Sequence, residues 1–483
     1  MFDYHTSRRK FLQSVGLSAV ATSSVLPAKS LWAANANDEI NIGFVGCGGR
    51  FRGLVKQFGK LKGVNLVAFC DPDSKRLEQP KKDFPKASFF ADMRELFELE
   101  SVDAVVVATG NHWHCLASIW AMQAGKHVYV EKPLSHSQWE GEQTVRAAEK
   151  FNKICQIGTQ QRSDPMQVEI KDFLHEQKAL GEIKACRVNR YGVRKPIGKR
   201  SQPLEIPSSV NYDLWLGPAA EQPLYRNSLH YDWHWDWNTG SGEMGNWGVH
   251  VLDDVRNNIF RDSVALPKRI FGGGGRVAWD DAANTPNVSF VYFDTGSIPV
   301  VIGLSNLPAK KGDKKSPDMK GPSSGYVAYC EGGRFEGQRG RAVARDRKTG
   351  KVIREFKGNN GDVMHQQNFI DAIRAGDASI LNADVVVGNH STGWCNLANI
   401  AYRCGANFKQ DDLTQVKQST WRGLLKQTED HLAQHGLTIT DEAMRLSPML
   451  TLNKDGLFEG ENADKANALL KREYREGYEV AEI

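Results

Sequence analysis

The run "GKHVYVEKPLSHSQWEGE" (125–142) sets a lysine between an acid and a proline at the end of a short β-rich stretch. A residue before proline is pushed away from helical angles, so the Lys132 ammonium can turn into a cleft instead of lying along a helix. Partial burial beside a cationic ring lowers a lysine's pKa, which suits it to proton work or to holding a substrate hydroxyl. A solvated lysine that happens to precede a turn is the plain alternative. Two other groups bear on that choice. Gly46-Cys47-Gly48-Gly49 ends the β-branched run "INIGFV" and opens a helical pattern. The backbone there can turn tightly and approach a pyrophosphate, which a helix N-terminus favours. The third glycine of G-x-G-x-x-G is replaced by Phe51, so the fingerprint is imperfect. Asp71 closes a second apolar run, 64–69, about where a ribose-binding acid belongs. A carboxylate there accepts from a 2′-hydroxyl and repels a 2′-phosphate, favouring NAD over NADP. Arg50, Arg52, Lys75 and Arg76 nearby keep NADP open, and Asp71-Pro72 as a simple turn is the bland reading.

These residues need a scaffold. A third apolar run, "VDAVVVATG" (102–110), leads into a helix at 115–124 halted by Gly125, and a strand at 127–130 follows. Ser137 with Glu140 has the form of a capping box opening the next helix. Strand and helix alternating at this spacing make a doubly wound parallel sheet, which binds ligands beyond the carboxyl ends of its strands. Ala108, Thr109, Asn111, His114, Glu131 and Lys132 all fall at such ends, and with Gly46, Gly48, Gly49, Arg50 and Asp71 they are the candidate cofactor set. After 157 the pattern changes to open-sheet alternation at 181–193, a hairpin at 288–306 around Asp294-Thr295-Gly296, and further strands in "GYVAYCEGGRFEG" and "KVIREFKGN". Antiparallel strands of this kind leave one face free for substrate or a partner subunit.

With 483 residues the chain exceeds one compact core, and two domains are expected. A net charge of +5 at this length gives no reason to invoke nucleic acid or an anionic membrane surface. Residues 1–36 read as an export signal: Ser7-Arg8-Arg9-Lys10-Phe11-Leu12 resembles the twin-arginine motif, and the run after it is too short and polar for a membrane anchor. The twin-arginine machinery carries folded proteins, so a cofactor can be loaded before export to the periplasm. The cysteines lie in apolar runs without C-x-x-C pairs and read as small buried hydrophobes, and no metal spacing is present.

"GFVGCGGR", "CDPD", "VVVATGNHWHCLASIWAMQAGKHVYVEKPLS" and a later G-x-H come in an order that resembles the Gfo/Idh/MocA oxidoreductases, over about residues 40–405. The resemblance implies an α/β protein: an N-terminal Rossmann domain (38–157) and a C-terminal α/β domain (158–405) whose large, mostly antiparallel sheet walls the active site and often mediates homo-oligomers. It leaves 406–483 as a polar, mostly helical extension. Where the family has an Asp, three residues, then His, this chain has Asn246 and His250. Both are implied to face the nicotinamide, with His250 as general base and Lys132 beside it. Asn246 cannot hold charge beside the histidine, so a relay is weakened or supplied by Asp253 or Asp254. Trp235 and Trp247, in a segment of interleaved Trp, His and Asp, suit a sugar ring, although core packing is the plainer role for any one of them. His390 is an outlying candidate for substrate contact, and the lysine-rich loop 308–325 could favour an acidic sugar.

The leading expectation is an exported NAD(P)-dependent oxidoreductase acting on a sugar, cyclitol or glycoside hydroxyl with a tightly bound cofactor. The alternatives are a glycosidase or lyase working through transient ring oxidation, and a non-catalytic carbohydrate-binding protein.

Overall fold

The computed structural model describes residues 39–483, so the export-signal expectation for 1–36 lies outside it. Strands β1 (Ile40–Val45), β2 (Val64–Cys70), β3 (Ser88–Phe90), β4 (Ala104–Val107), β5 (His127–Val130) and β6 (Cys155–Ile157) form a parallel sheet in the order β3-β2-β1-β4-β5-β6. The strands are short, and those at the centre are mostly apolar because helices cover both faces: β4 is an unbroken apolar run with all four residues buried, and β1 is interrupted only by Asn41. The order reverses between β1 and β4, which opens a crevice at their carboxyl ends. Helix Gln138–Lys150 starts with the anticipated capping box, Ser137 and Glu140 each bonding the other's backbone. Phe51 in the third glycine position opens helix Phe51–Phe58 and packs edge-on against Phe44 and Phe69 at 5.3 and 5.9 Å. That position serves the core here, which is why the fingerprint is incomplete.

The second sheet has 11 strands: β7 (Ile183–Tyr191), β8 (Arg269–Gly275), β9 (Val288–Asp294), β10 (Val300–Ser305), β11 (Ser324–Cys330), β12 (Gly333–Gln338), β13 (Arg341–Asp346), β14 (Val352–Lys357), β15 (Met444–Leu446), β16 (Leu450–Leu452) and β17 (Phe458–Glu459). Its order is β14-β13-β12-β11-β7-β10-β9-β8-β16-β17, with β15 also on β8, and only β7 and β10 run parallel. Helices Val249–Asn258 and Val385–Cys404 bury Leu252, Val255 and Trp394 against Ile270, Phe293 and Ile302 on one face.

Residues 406–483 are not a polar, mostly helical extension. Helix Ser419–Ala433 lays Trp421, Leu424 and Leu432 on Phe271, Phe290 and Val301, and β15–β17 enlarge the sheet. Their two or three residues are too few to show alternation in a sequence. The outer face over β8–β10 is therefore covered by the chain itself and is not free for a partner subunit. The last residues return to the first domain, where Tyr478 and Val480 join the core around β4 and β5.

Candidate active site

Gly46 follows β1 with φ +90°, and a Cβ there would stand 2.7 Å from the Ala108 carbonyl oxygen at the end of β4. Only glycine lets these two turns approach so closely. Gly49 has open space around its Cα, whereas a Cβ on Gly48 would meet the Arg76 guanidinium. Asp71, at the end of the crevice, accepts from the backbone N–H of Cys47 at 2.8 Å and of Asp73 at 2.9 Å. Burial raises its pKa, against the opposing effects of Arg76 and those two bonds.

Arg50 and Glu131, both read as cofactor contacts, pair with each other at 2.7 Å and tie the glycine turn to the end of β5. Burial opposes the Glu131 charge, yet Arg50 and Lys132 hold its pKa below the ordinary value. His114 spans the Pro133 carbonyl at 2.6 Å and the Thr109 carbonyl at 3.3 Å, so it joins the two strand ends. Asn111 accepts from the Ser241 hydroxyl at 3.1 Å.

Lys132 turns inwards, as the proline behind it suggested. Its amine donates to the Asn246 carbonyl at 2.7 Å and lies 3.4 Å from the Asn246 side-chain oxygen. Desolvation brings its pKa from 10.5 down to about 8, with Glu131 opposing. Asn246 sits on a π-helical turn, Met244–Gly248, that runs into helix Val249–Asn258; such turns are frequent at functional sites. His250 lies one turn further on, buried, its ring 5.5 Å from Trp247 and edge-on to it. Burial, then the Lys132 charge, hold the imidazole well below its ordinary pKa. It is neutral at physiological pH, and among the described residues it has no hydrogen-bond partner.

The acid that Asn246 does not supply is Glu243, one turn earlier. It accepts from the Asn246 amide at 3.1 Å and from Arg190 and Arg194. Asp253 is committed elsewhere, to Arg162 and Ser391. Asp254 is buried beside it with a pKa raised to about 8, by desolvation first and by Asp253 second.

A cavity of about 470 Å³ runs from the glycine turn and Asp71 to Lys132 and Asn246. Trp247 and His250 adjoin it through Asn246 without lining it. Trp235 does not meet it: only 3% exposed, it is a core residue. Its neighbours Trp233 and His234, stacked at 3.6 Å, line the cavity instead. In a tight turn the sequence does not reveal which alternate aromatic faces inwards. His390 and the lysines of 308–325 also lie away from the cavity.

The roof is a strap, residues 209–239, pinned to the first domain. Ser74 N–H donates to the Ser209 carbonyl at 2.9 Å, Asn211 N–H to the Pro72 carbonyl at 2.8 Å, and the His230 ring meets Asp73 at 2.9 Å. The Trp113 indole donates to the Leu214 carbonyl at 3.1 Å, and the ring nitrogens of His112 lie 3.1 Å from the Thr239 and Trp215 carbonyls. All eight cysteines are buried and unpaired. Among the described residues no three His, Cys, Asp or Glu are grouped to hold a metal ion.

A parallel sheet with a glycine turn, a ribose-side acid and a second domain closing the crevice defines a two-domain dinucleotide-binding oxidoreductase fold. Residues 40–159 match the oxidoreductase family's NAD-binding Rossmann fold and 195–430 its C-terminal alpha/beta domain. The chain belongs to the Gfo/Idh/MocA oxidoreductase family.

It is 31% identical over 176 residues to a glycosyl hydrolase family 109 protein of Shewanella pealeana, covering 31% of this chain and 39% of that one. It thus spans well under half the length of such relatives. It is 23% identical to scyllo-inositol 2-dehydrogenase (NADP(+)) of Bacillus subtilis, over 66% of this chain and 77% of that one. Among solved structures, the WlbA dehydrogenase of Bordetella pertussis, in complex with NADH and UDP-GlcNAcA, superposes with a TM-score of 0.54 at 17% identity, covering 74% and 94% of the two chains. The aldose-aldose oxidoreductase of Caulobacter crescentus superposes with a TM-score of 0.54 at 14% identity, covering 73% and 94%. Likeness at these identities is of fold.

Proposed function

We propose that the protein is an exported, periplasmic oxidoreductase acting on a sugar, cyclitol or glycoside hydroxyl with a retained nicotinamide dinucleotide. The observation that carries this reading is the Lys132 amine, desolvated, bonded to Asn246 and opening on the same cavity as the glycine turn and Asp71. The residues present fit the dinucleotide. The Gly46 approach leaves backbone exposed to a pyrophosphate, Gly49 is open above the helix start, and Asp71 faces the ribose position, which favours NAD. Ala108, Thr109, Asn111 and His114 line the middle of the cleft. When bound, that cofactor supplies the hydride acceptor.

The chain's own residues handle the proton. The Lys132 ammonium holds the substrate oxygen and stabilises the charge that develops on it. Neutral His250 adjoins the cavity behind Asn246 and is the base assigned to the hydroxyl proton, which it takes once its ring turns towards Lys132. Asn246 orients Lys132, and its own amide is fixed by Glu243. The strap 209–239 keeps water out and supports retention of the cofactor, which a periplasmic enzyme needs.

A second reading is favoured by the glycosyl hydrolase family 109 relatives and by Asn246 in the Asp position. In that reading oxidation at a ring carbon is transient; it acidifies the neighbouring C–H, and elimination releases the aglycone. Incubating the purified protein with sugars and aryl glycosides distinguishes the two. Net reduction of the cofactor by a sugar supports the dehydrogenase; aglycone release at unchanged redox state supports the glycosidase; neither outcome from any substrate contradicts both.

A further inference from the structure

The strap 209–239 has little of its own to hold it in place. Its regular structure is one short helix, Tyr212–Leu216, and one 3-10 turn, Asp232–Trp235. Its buried apolar side chains, among them Leu216, Ala219 and Leu229, form a small cluster separate from the cores of the two sheets. A segment with few buried contacts to its surroundings opens locally at little cost, so ties from outside decide where the strap sits.

Residues 470–483 supply a set of such ties. The Arg475 guanidinium meets the strap with all three nitrogens: Nε donates to the Gly217 carbonyl at 2.9 Å, Nη1 to the Asp213 carboxylate at 2.6 Å and Nη2 to the Asp213 carbonyl at 2.7 Å. The Tyr478 hydroxyl donates to the same carboxylate at 2.8 Å. Arg472 donates to the Asn238 carbonyl at 3.1 Å, near the other end of the strap. The segment is itself fixed to the first domain: the Trp139 N–H donates to the Leu470 carbonyl at 3.0 Å, and Tyr478 and Val480 are buried with residues of β4 and β5. Trp113 lies between segment and strap. Its indole donates to the Leu214 and Trp215 carbonyls, a Cβ on Gly217 would stand 2.1 Å from its ring, and Tyr478 packs edge-on against it at 5.6 Å. Trp113 also lines the cavity, with Leu214, Trp215 and Trp233 of the strap and the glycine turn. The Asp213 side chain is 64% exposed and that of Arg475 22%, so this clasp lies at the surface and can part without opening either core. One planar guanidinium serving three acceptors is a geometry that a lysine does not reproduce.

We propose that residues 470–483 are the latch of the strap, and that Arg475 is the positioning residue that sets how long the dinucleotide stays. The proposal rests on the dinucleotide reading for its ligand: a nucleotide held in the cavity between glycine turn and strap leaves when the strap lifts, and the strap lifts when the Arg475 clasp parts. Two measurements on the purified protein test it. Dinucleotide release is timed by diluting reduced holoprotein into an oxidising trap, and backbone hydrogen exchange over 209–239 is followed by mass spectrometry on protein stripped of nucleotide. Arg475→Ala should speed release roughly 10- to 100-fold, the range of one hydrogen bond to a charged group. It should also raise exchange across 209–239 while exchange in β1–β6 stays at the wild-type level. Arg475→Lys, which keeps the charge without the fork, should fall between the two. Asp213→Ala undoes the clasp from the side of the strap, should speed both readings several-fold, and decides the matter if Arg475→Ala does not fold. Arg146→Ala removes a contact of the same segment, with Glu482 at 3.9 Å, that does not touch the strap, and should change neither reading. The proposal is overturned if the clasp variant leaves either strap exchange or dinucleotide release at the wild-type rate, or if Arg146→Ala raises both as much. A protein that binds no dinucleotide refutes the oxidoreductase reading alone, since strap exchange still reports the latch.

Discussion

At the scale of single residues, Lys132 controls the chemistry through its protonation state. Its folded pKa of about 8 means that the ammonium holding the substrate oxygen is present below that pH and lost above it. For oxidation, kcat/KM should fall as pH rises through about 8, and Lys132→Arg should remove that descending limb. Asn246→Asp sets a carboxylate beside the amine and should move the limb upwards by about 1–3 pH units; an unmoved limb would mean that another group titrates. Lys132, Asp71 and the glycine turn were legible because each is a local pattern: a residue before proline, an acid after a strand, a glycine between strand and helix. Glu243 was not. Its role arises only when Arg190 and Arg194, 53 and 49 residues earlier, fold against it. Trp235 misled because spacing alone does not separate a cavity wall from a core.

Among the elements, the strap 209–239 and the C-terminal segment carry the structural weight. His230→Ala removes one of the strap's ties to the first domain, the contact with Asp73. Dinucleotide release should accelerate roughly tenfold, the worth of one such bond, as read by dilution of the reduced holoprotein into an oxidising trap. Trp421 is fully buried between its helix and the sheet. Trp421→Ala should cost about 3–5 kcal/mol in denaturant unfolding, whereas an unchanged midpoint would make the segment a dispensable appendage. The parallel strands and the 288–306 hairpin were readable from apolar runs and turn residues. The glycine run of β8 gave no such signal, because its smallness answers to a distant partner: a Cβ on Gly273 would stand 2.3 Å from the Arg445 carbonyl.

For the whole molecule, a Rossmann sheet joined to a large antiparallel sheet follows from the change of pattern after the first domain, and the family match agrees. Covering of the β8–β10 face by residues beyond 406 was hidden, since it depends on packing between segments more than a hundred residues apart. Export belongs to this scale too. Replacing Arg8 and Arg9 together by lysine should leave the folded, cofactor-loaded protein in the cytoplasm, as read by cell fractionation; unimpaired arrival in the periplasm would contradict the twin-arginine proposal. The most direct test of the central claim is native mass spectrometry of the chain matured by its own export route, for wild type and for Gly46→Val. The wild type should carry close to one nicotinamide dinucleotide per chain, and the variant, whose side chain fills the approach to Ala108, should carry almost none. A wild-type chain that arrives empty and takes up no dinucleotide when supplied with it would contradict the account.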